Sequence, residues 1–105
     1  MCFVASDVSH QLVRQLREPL AALRRHDADL AKQAMRALTS VPLNIAEGSG
    51  RSGADRRYHY RVALGSLREL GAALEVAVAL GYLAEAPCAA ERDRLGGLIY
   101  GLQRG

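Results

Sequence analysis

Apolar residues recur along this chain at steps of three and four, the spacing that places side chains on one face of an α-helix. Val8, Leu12, Leu16, Leu20 and Leu23 form the first such stripe, within a segment running from Ser6 to Arg25. Pro19 lies inside it. A proline removes a backbone donor and crowds the preceding turn, which predicts a kink or break just before it. His26-Asp27-Ala28-Asp29 reads as the first turn, with Asp27 or Asp29 placed to cap the next helix. A second segment, Asp29 to Glu47, carries Leu30, Ala34, Leu38, Val41 and Ile45 on an inward seam. Pro42 falls near its end, and Gly48 is the expected left-handed stop.

The third helix is expected to begin within Gly48-Ser49-Gly50-Arg51-Ser52-Gly53, where Ser52 and Asp55 have the spacing of a capping box. Its seam is Tyr60, Ala63 or Leu64, Leu67, Leu70 or Gly71, Leu74, Ala77 or Val78, and Gly81. A neighbouring stripe, from Val62 and Gly65 through Ser66, Glu69, Ala72 and Ala73 to Val76, is made mostly of small residues and suits close approach by another helix. From Val76 to Leu83 the pattern is apolar all round. A helix with no polar face needs cover beyond its own bundle, which predicts an oligomer. The fourth segment runs from Pro87, suited to a first helical position, to Gln103, with Cys88, Glu91, Leu95, Leu98 and Leu102 on its seam and Ile99 adjacent. Four segments joined by short loops predict an all-α fold, an antiparallel up-down-up-down four-helix bundle forming one domain over residues 1–105.

Composition agrees with helices. Half the residues are hydrophobic but only 5% are aromatic, so the core must be built of Leu, Ala and Val. The two cysteines, Cys2 and Cys88, have no metal-ligand spacing and read as reduced thiols of a cytoplasmic protein. The chain start lacks the basic and long apolar regions of a secretory leader. The apolar window from Val62 to Leu83 contains Arg68, Glu69 and Glu75, which argues for a buried helix of a soluble domain and against a membrane span.

Catalytic and metal chemistry find little support. Di-iron bundles need two Glu-x-x-His motifs, and Asp7-x-x-His10 is the single weak relative here. Neither paired carboxylates nor a nucleophile–histidine arrangement stands out. Gly48 to Gly53 lacks the Lys-Ser/Thr ending and the preceding strand of a phosphate loop. No catalytic residue, metal ligand, cofactor or small-molecule substrate is expected. Glu47 and Glu69, the acids set within apolar stretches, have nearby hydrogen-bonding residues. Asn44, Glu47, Arg51, Ser66 and Glu69 therefore read as a structural network pinning the end of the second helix to the third.

Charge is more informative in its distribution than in its total. The net charge is +3, yet from Arg51 to Arg68 five arginines face one acid, Asp55, so the remainder of the chain is slightly acidic. Arg56, Arg57 and Arg61 interleave with Tyr58, His59 and Tyr60. That combination offers cations for phosphates and rings for bases, and Arg51, Arg56, Arg57 and Arg61 become the candidate nucleic-acid-binding residues. Repeated around an oligomer, such weak contacts would add.

The run from Leu30 to Leu83 resembles the four-helix bundle family encoded by intervening sequences within bacterial 23S ribosomal RNA genes. The resemblance is carried by Gln33, Arg36-Ala37, Ser40-Val41-Pro42, Asn44-Ile45-Ala46-Glu47-Gly48, Gly50-Arg51, Ala63-Leu64-Gly65-Ser66-Leu67, Glu69-Leu70 and Leu80-Gly81-Tyr82-Leu83. It implies a bundle assembled as a homopentamer. A similar family, the accessory protein of diversity-generating retroelements, implies nucleic acid as a partner. Pro19 and the arginine-rich start of the third helix depart from the usual pattern. The expected function is a non-enzymatic oligomeric bundle protein binding nucleic acid, RNA first. The alternative is a structural assembly or protein-interaction module with no nucleic-acid binding.

Overall fold

Four helices account for almost the whole chain in the computed structural model, which describes residues 2–105: α1 (Cys2–His26), α2 (Ala28–Ser49), α3 (Gly53–Ala79) and α4 (Ala89–Arg104). No strand occurs among the described residues. α1 packs on α2 and α4, and α3 packs on the same two, so the helices form a four-helix bundle around a shared core. Ser40 on α2 lies opposite Ser66 on α3, Asn44 opposite His59, and Gly48 opposite Tyr60.

The stripes read from the sequence form the core, with Leu30, Cys88, Leu98 and Leu102 partly buried at its edge, while Gly81, expected on the α3 seam, is exposed beyond the end of α3. Val8, Leu12, Leu16, Leu20 and Leu23 of α1 meet Ala34, Leu38, Val41 and Ile45 of α2 in one core with Leu67, Leu70 and Leu74 of α3. The narrow helix seams are rich in Ala, which lets the leucines interdigitate without large rings. On α4 the buried residues are Leu95 and Ile99, while Glu91, expected on the seam, is exposed. A carboxylate with no partner stays in water, and α4 is turned to suit its aliphatic residues.

Several element ends differ from the sequence reading. α1 runs unbroken through Pro19. The donor that Pro19 lacks would have met the Gln15 carbonyl, and Gln15 is on the exposed side, where water can serve it. Asp27 alone caps α2, its Oδ1 accepting from the Leu30 amide at 3.0 Å. α2 continues past Gly48 to Ser49, so Gly48 is not the helix stop. Ser52 is the N-cap residue of α3 but makes no side-chain cap, and the Asp55 carboxylate bonds Arg51 where a capping box would have it reach back to Ser52. α3 ends at Ala79 through a Schellman motif, with the Tyr82 amide on the Ala77 carbonyl and the Gly81 amide on the Val78 carbonyl, both at 2.9 Å. Gly81 takes the left-handed conformation that this motif requires, φ +79°. α4 begins at Ala89, not Pro87, and Cys88 before it is left-handed at φ +60°.

Gly48 has a packing role. A Cβ built there would lie 2.6 Å from Cε1 of the Tyr60 ring, and Tyr60 is buried. The end of α2 and the first turns of α3 can meet only because one of them carries no side chain. Gly97 of α4, by contrast, has nothing within 4 Å of such a Cβ.

The same substitution should therefore act with opposite sign at these two positions. Gly48→Ala is expected to destabilise the protein by about 1–3 kcal/mol through overpacking. Gly97→Ala should stabilise it by about 0.5–1 kcal/mol through helix propensity. Urea unfolding of both variants against the parent checks the pair.

Candidate functional site

Ser49 to Tyr58 forms an exposed turn and helix start held on a buried base, the Gly48–Tyr60 contact. The amides of Gly50 and Arg51 reach back to the carbonyls of Glu47 and Gly48 at 3.2 and 3.1 Å, which satisfies the last turn of α2. Gly53, left-handed at φ +59°, turns the chain into α3. Arg51 therefore projects between the two helices. Its Nη2 donates to Glu47 Oε2 at 3.1 Å and its Nη1 to Asp55 Oδ2 at 2.7 Å. The hydrogen bond and charge of Asp55 first, and those of Glu47 second, hold the guanidinium pKa above its ordinary value.

The four arginines proposed for nucleic acid are thus not equivalent. Arg51 is neutralised by two carboxylates. Arg56 is exposed, but its Nε donates to the Arg51 carbonyl at 2.8 Å. Arg57 and Arg61 are exposed, stand one helical turn apart, and make no ion pair among the described residues. Between them Tyr58 is exposed and packs edge-on against the His59 ring, centroids 5.3 Å apart.

The residues expected to form one network fall into two. Glu47 and Arg51 belong to the exposed ion-pair cluster with Asp55. Asn44 and Ser66 belong to a half-buried relay between α2 and α3. His59 Nδ1 donates to Asn44 Oδ1 at 3.0 Å, and Asn44 Nδ2 donates to Ser40 Oγ at 3.1 Å and to the Ser40 carbonyl at 3.0 Å. The Ser40 and Ser66 hydroxyls meet at 2.7 Å. Glu69 joins neither cluster; it is exposed, and the Ser66 hydroxyl turns to Ser40. Asn44 is half-buried against α3 whereas Glu47 is exposed, so Asn44 bonds across the helix contact and Glu47 bonds the arginine of the turn. Sequence reasoning missed Ser40 and His59. Ser40 was legible as the i−4 neighbour of Asn44, whereas His59 becomes visible only once the register of α2 on α3 is known.

Ser9 is the one buried polar residue among the described residues, and its hydroxyl donates to the Ser6 carbonyl at 2.8 Å. His10, the weak metal candidate, donates from Nδ1 to the same carbonyl at 2.7 Å. No group of three or more His, Cys, Asp or Glu residues that could hold a metal occurs among the described residues. Cys88 is free, and burial, aided by the Glu91 charge and opposed by Arg92, raises its thiol pKa and lowers its nucleophilicity at neutral pH. The Cys2 side chain lies outside the described residues. A shallow depression between α3 and α4, about 360 Å³, has Asp93 as its single lining carboxylate. No described helix is long and apolar enough to cross a membrane.

Comparison with known proteins identifies one relationship. The family described as 23S rRNA-intervening sequence protein matches residues 4–99. No curated protein and no solved structure matches the chain.

The two clusters should respond differently to mutation. Glu47→Ala removes one of two exposed partners of Arg51 and should leave the urea midpoint close to that of the parent, since exposed ion pairs contribute little. Asn44→Ala strands Ser40 and His59 at the α2–α3 contact, and should cost about 1–2 kcal/mol. Equal losses from both variants would mean that the two clusters are one.

Proposed function

The chain belongs to the family of 23S rRNA-intervening sequence proteins, and on that footing we propose that it is a non-enzymatic, oligomeric bundle protein of the cytoplasm that binds RNA through the start of α3. The observation that carries this reading is the pair Arg57 and Arg61, exposed on one stripe with no ion-pair partner among the described residues, beside the exposed ring of Tyr58. Cations without counter-charges attract phosphates, and a ring with a free face stacks on an unpaired base. Arg56 sits one residue away and supports the cluster, while Arg51 shapes the turn that presents it.

The assembly we propose is an up-down-up-down bundle closed into a homopentamer. Supporting it, Leu43, Val76 and Leu80 are 65%, 47% and 55% exposed, apolar surface that neighbouring copies would cover. The same surface favours the second reading, a structural or protein-interaction module in which the arginines serve solubility alone. RNA binding separates the two.

Affinity for a labelled single-stranded RNA should fall steeply with salt, because each neutralised phosphate releases counterions. Arg57→Glu with Arg61→Glu should weaken binding and reduce the salt slope by about 1, while lysine at both positions retains most of it. Absence of binding by the parent at low salt selects the second reading. Light scattering should return the mass of a pentamer for parent and variants alike, and a monomer would refute the assembly.

A further inference from the structure

α1 and α2 do not close over each other on their outer side. A groove of about 980 Å³ runs between the second half of α1 and the first half of α2. Arg17, Arg24 and Arg25 of α1 and Lys32 and Arg36 of α2 line it, against a single acid, Asp29. None of these cations makes an ion pair among the described residues. The floor is aliphatic, with Leu20 and Ala31 buried and Met35 42% exposed.

Local helix chemistry explains only part of this charge. Arg24 and Arg25 lie in the last turn of α1 and Asp29 in the first turn of α2, where each sign suits the helix dipole. Arg17, Lys32 and Arg36 have neither a helix terminus of matching sign nor a carboxylate to account for them. Lys32 and Arg36 are one turn apart, about 6 Å along the axis, a step comparable with that between successive phosphates of a strand. Arg17 and Arg24 are two turns apart on the facing helix. Cations thus stand on both banks, over a length of about 12 Å.

We propose that this groove is a binding site for the sugar-phosphate backbone of single-stranded RNA, with phosphates between the two cationic banks and ribose rings over Leu20, Ala31 and Met35. It rests on the RNA-binding reading under Proposed function, and extends it from the start of α3 to a second, denser surface. An acidic protein helix would match the charge as well. Docking one would bury several cations, and the desolvation of so many charges opposes it. Phosphates on a strand remain largely hydrated, and counterion release drives their association.

The test is fluorescence anisotropy of a labelled oligouridylate with the full-length protein from about 50 to 200 mM salt. Arg24→Glu, Lys32→Glu and Arg36→Glu together are expected to weaken binding by about tenfold or more at the low-salt end. Removing three phosphate-neutralising cations should also make the salt slope shallower by about 2. A triple Gln variant at the same positions should weaken binding in the same direction, which covers the case in which charge reversal disturbs the fold; circular dichroism and light scattering monitor both. Lysine at positions 24 and 36 should preserve binding. If the parent binds RNA and both triple variants bind within about twofold of it, the groove is not the site, and the reading of Arg57 and Arg61 stands. If the parent binds no RNA, that reading falls and the groove assignment falls with it. If a poly-glutamate peptide displaces the RNA as well as unlabelled oligouridylate of equal charge does, the groove is an acidic-protein site and the assignment to RNA is overturned.

Discussion

The meeting of Gly48 with the Tyr60 ring is the constraint on which the rest of the α2–α3 unit depends. A helix end and a helix start can lie this close only where one side chain is missing, and the ring fills the space that the missing side chain leaves. Once that contact is made, the register of α2 on α3 is set. Asn44 then falls opposite His59 and Ser40 opposite Ser66, so the polar groups of the helix contact satisfy one another. None of the described buried side-chain polar atoms is left without a partner.

The same close approach decides which charges face outward. Because the chain reverses within a few residues after Ser49, Arg51 has a carboxylate from each flanking helix within reach, Glu47 behind it and Asp55 ahead. Those acids neutralise the arginine nearest the turn, while Arg57 and Arg61, farther along α3, make no ion pair among the described residues. A cluster that looks uniform along the sequence is thus divided by geometry into one residue that shapes the turn and two that present charge.

At the opposite end of α3 the termination is equally local. Gly81 closes a Schellman motif, and Tyr82 beyond it stacks on His26 at the end of α1, ring centroids 5.3 Å apart. The apolar run that reads as a continuing helix is instead split. Tyr82 and Leu83 fold back on the core, while Val76 and Leu80 stay exposed. Hydrophobic periodicity alone could not separate these, since a glycine within an apolar run is compatible with either outcome.

The sequence by itself determined the helix count and the stripes that form the core, and narrowed the cap of α2 to Asp27 or Asp29, because each follows from spacing or chemistry within one turn of helix. Tertiary structure decided the rest. His59 found Asn44 only through the packing of two helices, and Gly48 proved to be a contact residue where it reads as a stop. The α1–α2 groove is the clearest case. Over residues 17–39 its five cations are interleaved with Glu18, Asp27 and Asp29, so the linear net charge there is only +2, below that of the Arg51–Arg68 segment. Folding leaves Glu18 out of the groove lining, commits Asp27 to a cap, and sets Asp29 alone among the cations. Charge along a chain adds by position in sequence, but a field adds by distance in space, and only the fold supplies those distances.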